Sequence, residues 1–136
     1  MKKQIIAGLL AATALLSFGC SGRNAEFGVV DMRAVESKAE VVKSVQEEVT
    51  TKGKALQEEM NTALEGKTGE ERQKVMEDYT SKMNVIRSEA QNKLKASLDT
   101  ALNEVAKEKG LGAVLIKDAV PQGGVDVTDD VIAKMK

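Results

Sequence analysis

Cys20 is the one thiol in a chain of 136 residues that holds no histidine and no tryptophan. A single cysteine closes no disulfide within the chain and builds no cysteine-rich zinc site. Without histidine there is no Ser-His-Asp or Cys-His pair and no imidazole ligand for a metal. Carboxylates and lysines remain, because 30% of the residues are charged. The nearest approach to a ligand cluster is Asp126, Asp129 and Asp130. It lacks the spacing of an EF-hand loop, and helix capping accounts for two of the three. Neither GxGxxG nor GxxxxGK[ST] occurs, so no loop is built to cradle a phosphate. With nothing converging on a site, the chain is read as a non-enzyme needing no cofactor and no metal.

Cys20 has a context of another kind. Lys2 and Lys3 precede an uncharged apolar run from Ile5 to Leu16, 12 residues long. That is the make-up of a signal peptide, and the run is too short to span a bilayer comfortably. It ends in Leu16-Ser17-Phe18-Gly19-Cys20, which resembles the lipobox of bacterial lipoproteins, where the cysteine becomes the lipidated first residue. The lipobox carries leucine three places before the cysteine, whereas here that place is Ser17 and Leu16 stands one further back. Ordinary cleavage after Gly19 is the alternative. The expected division is a signal peptide over 1–19, a polar tether over 20–26 behind a lipid on Cys20, and one domain over 27–136. Removing Lys2 and Lys3 takes two from the 20 basic residues against 21 acidic ones, so the net charge moves from −1 to −3. Such a balance offers no electrostatic case for binding nucleic acid.

The domain is read as strand, long helix, turn, long helix, strand, turn, short strand, helix. Phe27 to Met32 is short and apolar, and Asp31 is placed to cap the first helix. From about Arg33 to Leu64, Val42, Val49, Leu56 and Ala63 recur at seven-residue intervals, with Ala39, Gln46, Gly53 and Met60 three residues earlier. This is a coiled-coil seam loosened by Gln46 and Gly53. Gly53 is either a hinge or a point of close packing. Gly66 ends the helix, and Thr68 with Glu71 forms a capping box for a second helix from about Gly69 to Lys109. Val75, Tyr79, Met83, Ile86, Ala90, Leu94, Ala101 and Val105 make its apolar stripe, spaced closer to an eleven-residue than a seven-residue repeat. Met60, Met76 and Met83 are read as core in preference to an adaptable binding surface. Gly110 and Gly112 stop the helix. Ala113 to Ile116 reads as a strand buried on both faces, Pro121 to Gly124 as a turn, and Val125 to Val127 as a third short strand. Thr128 is read as the cap of a last helix, Asp129 to Met135.

The expected fold class is therefore α+β, mainly α: a small β-body (27–32 and 111–136) carrying a long antiparallel helical hairpin (33–110). The first and second strands are expected to pair antiparallel. So small a body has open strand edges, which are usually closed by another copy. An oligomer core of Val29, Val114, Leu115 and Ile116 is expected.

The two ends resemble the Skp/OmpH family of periplasmic chaperones. Phe27-Gly28-Val29-Val30-Asp31-Met32 is similar to that family's opening strand. Val114-Leu115, then Val125-Asp126-Val127-Thr128-Asp129-Asp130-Val131-Ile132, are similar to its closing motif. The resemblance implies a Skp/OmpH-like homotrimer that holds unfolded outer-membrane proteins, without ATP, in a cavity between helical tentacles. It also implies a periplasmic location. The lipid expected on Cys20 from the lipobox-like run is a departure from that family and takes the place of electrostatic membrane attachment. The family's best-known members are strongly basic. Here the first helix has five basic and six acidic residues, and the second, from Glu70, eight of each. Long-range electrostatic attraction of clients is therefore expected to be weak. The competing reading is a structural coiled-coil lipoprotein, a spacer or tether in the envelope with no chaperone activity.

Overall fold

A computed structural model describes residues 26–136. The leader 1–19, most of the tether and Cys20 lie outside the described residues. The chain opens with β1 (Phe27–Val30). Asp31 then turns it into α1 (Met32–Lys38), its Oδ1 accepting the N–H groups of Arg33 and Ala34 at 3.0 and 3.2 Å. The predicted single helix from Arg33 to Leu64 is broken at Ala39, whose backbone is extended (φ −66°, ψ 127°). Ala39 is fully buried, so packing at this junction holds a bend that helix propensity alone would not produce. Beyond it α2 (Glu40–Leu64) runs unbroken through Gly53.

After a short turn, α3 (Gly69–Lys109) returns along α2. Thr68 makes no side-chain cap here, so the predicted capping box does not form. The predicted stripe of α3 lies at buried or half-buried positions, and Ser97 joins it. On α2 the buried positions are Val41, Val45 and Leu56, while Gln46 is exposed. A Cβ on Gly53 would sit 3.4 Å from Met83 Cε, which identifies this glycine as a point of close packing.

Gly110, at φ 64° and ψ 31°, ends α3 in the left-handed conformation. The Leu111 N–H reaches back to the Ala106 carbonyl at 2.8 Å, closing a Schellman-type cap. The chain then enters β2 (Ala113–Ile116), followed by a single 3₁₀ turn at Lys117–Ala119, β3 (Val125–Asp126) and α4 (Thr128–Lys134).

The expected fold class is overturned by these elements. The described chain is four helices with one small three-stranded sheet, ordered β2-β1-β3, and all of its pairings are parallel. An antiparallel β-body carrying a long antiparallel hairpin, of the Skp/OmpH kind, is not what the chain forms. The reason lies in the bend at Ala39 and the cap at Gly110. α1 and Ala39 redirect the chain, so α2 does not continue the line of β1. The Gly112 N–H then donates to the Glu26 carbonyl at 2.9 Å, which starts β2 beside the start of β1. The whole of 31–112 is thereby one crossover connection, and a crossover of this kind returns a strand in parallel.

The two faces of the sheet are covered differently. Val30, Val127 and Val131 join Val35, Ala101 and Val105 in the core beneath the helices. The opposite face, with Phe27 and Val29, lies under the segment that crosses from β2 to β3. Gly124 makes that crossing close enough: its φ is 86°, and a Cβ there would lie 2.7 Å from Phe27 Cε2 and 2.8 Å from Val29 Cγ1.

Candidate interaction surface

The four residues expected to form an oligomer core occupy different environments. Val29 is buried within its own chain, and Val114 is half-buried against the core. Leu115 and Ile116 are 44% and 53% exposed. The expectation that Ala113 to Ile116 is buried on both faces is corrected: β2 is an edge strand paired on one side only. What a second chain can reach is therefore Leu115, Ile116 and the free backbone edge. At the other edge Val125 is also exposed. On the helices Met76 is 43% exposed, so this methionine is not core, whereas Met60 and Met83 are half-buried.

Polar contacts hold the edges in place. Asp126 Oδ2 accepts from Lys117 Nζ at 2.7 Å, and its Oδ1 accepts from the Thr128 hydroxyl and N–H at 2.6 and 3.0 Å. The Thr128 hydroxyl oxygen in turn accepts the Asp31 N–H at 3.0 Å. Thr128 is thus the first residue of α4, and its side chain binds back to β3 and β1 where a cap was expected. Hydrogen bonds from Lys117 first, then from Thr128, hold the Asp126 carboxyl well below the usual carboxylate range. Arg33 binds Asp118 at 2.7 Å and pins the start of the crossing segment. Asp130 turns away to Lys109 at 3.1 Å. Among the described residues no group of three or more acidic, cysteine or histidine side chains is placed to hold a metal ion.

The long helices carry exposed ion pairs. Glu48 accepts from Lys52 at 2.8 Å and from Lys93 at 2.9 Å. Those two hydrogen bonds lower its carboxyl to about 2. Among the described residues no helix is long and apolar enough to cross a membrane. The polar knot around Thr128 was missed in the sequence, although Asp126-Val127-Thr128 spells it: an acid two residues before a threonine is a common local turn. The chain matches no protein-family model and no curated protein.

Proposed function

We propose that this chain is an ATP-independent holdase for unfolded exported proteins, outer-membrane proteins among them. It would work as a homotrimer in the periplasm, tethered through a lipid on Cys20, with clients held between the long helices. The observation that carries the reading is the edge strand β2, where Leu115 and Ile116 stand exposed beside unpaired backbone. An exposed apolar edge of this kind is a template for pairing with another chain. Further apolar exposure at Met76 and Val85 offers weak, unselective contacts suited to unfolded chains. The likeness of the chain's two ends to Skp/OmpH chaperones points the same way.

The test is aggregation of a urea-unfolded β-barrel protein on dilution, with and without a soluble Cys20→Ser form. Suppressed light scattering at near-stoichiometric amounts is expected. Unchanged scattering would move the reading to a structural lipoprotein. The anchor is tested separately by the intact mass of membrane-extracted protein. A diacylglycerol on a chain starting at Cys20 is expected, and an unmodified thiol on a soluble chain removes the anchor.

A further inference from the structure

Partway along α2 and α3 lies an apolar window. Ala55 and Leu56 on α2, with Val85 and Ile86 on α3, floor a shallow depression of about 450 Å³. Val85 is 56% exposed, the highest value among the exposed large hydrophobic side chains of the described residues. Four charges stand at the corners. Lys52 and Glu89 close one end at 3.7 Å, and Glu59 and Lys82 close the other at 3.1 Å. So α2 carries a base at the first end and an acid at the second, and α3 carries the reverse. All four corner side chains keep 45–66% of their surface exposed.

A checkerboard of charges is its own complement under a two-fold rotation. We propose that this window is a contact between two copies of the chain, laid face to face with the two-fold axis running across both helices. Lys52 of each copy then meets Glu59 of the other, Lys82 meets Glu89, and the two Val85 side chains meet at the axis. The copies run in opposite directions. At 1.5 Å per residue, the turn beyond Leu64 lies about 12 Å from the centre of the window and the start of α2 about 24 Å from it on the other side. The turn of one copy therefore stops short of the sheet of the other. Affinity comes from taking Val85, Ala55 and the exposed part of Ile86 out of water, over a floor that the buried Leu56 completes. The half-exposed charges contribute orientation and register more than strength. A contact of this size is reversible. It is separate from the sheet edge, and a client reaches Val85 only when this reversible contact is open.

The experiment is disulfide trapping in the Cys20→Ser background. Val85→Cys should cross-link copy to copy under mild oxidation about tenfold faster than Gln91→Cys, which lies off the window on the same helix, because pairing raises the effective concentration of the thiols. Swapping one corner pair, Lys52→Glu with Glu89→Lys, keeps that pair intact within each chain. Across the proposed axis it sets acid against acid on α2 and base against base on α3, so cross-linking should fall to the control rate. Swapping Glu59→Lys and Lys82→Glu as well should restore it. Leu115→Asp, which acts at the sheet edge, should leave this cross-link unchanged. A Val85→Cys rate no faster than the control overturns the proposal. A fast rate that survives the single swap also overturns it, because the corner charges would then not set the register of the two copies.

Discussion

The hydroxyl of Thr128 joins three elements at one point: it donates to Asp126 Oδ1 at 2.6 Å and accepts the Asp31 N–H at 3.0 Å. The end of β1, the end of β3 and the start of α4 meet there, and Thr128 itself is buried. Thr128→Val keeps the shape and removes both bonds. It leaves the Asp31 N–H without its partner, which costs about 1–3 kcal/mol. The expected result is a lower urea midpoint at an unchanged slope. A midpoint equal to that of wild type would mean that water replaces the hydroxyl.

Gly124 and Gly66 separate backbone strain from crowding. Both have positive φ, but a Cβ meets Phe27 and Val29 at Gly124 and open space at Gly66. Alanine at either position bears the left-handed penalty of about 1–2 kcal/mol. Gly124→Ala adds an overpacking cost of about 1–3 kcal/mol. Thermal unfolding should therefore rank wild type above Gly66→Ala, and Gly66→Ala above Gly124→Ala. Equal losses would show that the crossing segment moves freely away from the sheet.

Leu115 tests association through the sheet edge. Its side chain is 44% exposed in a single chain, so in a monomer Leu115→Asp should change stability by only about 0.5 kcal/mol. If β2 edges meet between copies, the same change buries a charge in the contact. Sedimentation should then show dissociation while the chain stays folded. A wild-type monomer, or an oligomer indifferent to Leu115→Asp, counts against the trimer.

Acid should weaken the fold in a defined window. The Glu48 carboxyl lies at about 2 in the folded chain against an ordinary 4.5, because Lys52 and Lys93 donate to it. A lowered folded value means the unfolded chain takes up protons first. The Glu48 contribution is therefore complete above about 4.5 and is lost as pH falls through about 2. Asp126 behaves in the same sense at lower pH still. Glu48→Gln should flatten the fall of the thermal midpoint across that window, and 1 M salt should shrink the effect, since screening there acts over about 3 Å. An unchanged slope in Glu48→Gln would assign the acid sensitivity to other groups.

Local chemistry alone determined much of the element list. The stripe from Val75 to Val105 marks the inward side of α3, because a helix sorts its side chains by period. Asp31 caps a helix and Gly110 ends one, because these are interactions within a few residues. The apolar, uncharged run Ala113 to Ile116 announced a strand. What local pattern does not contain is direction. Whether β2 lies parallel or antiparallel to β1 depends on how the 82 residues from Asp31 to Gly112 bring the chain back. That path turns on a bend at Ala39, and alanine is the strongest of helix formers. Only burial in the assembled core holds it extended. The same holds for Leu115 and Ile116, whose composition reads as interior. They lie at an edge because β1 has two neighbours in the sheet and β2 has one. Strand order is a property of the assembled chain, fixed by which surfaces the helices and the crossing segment have already covered.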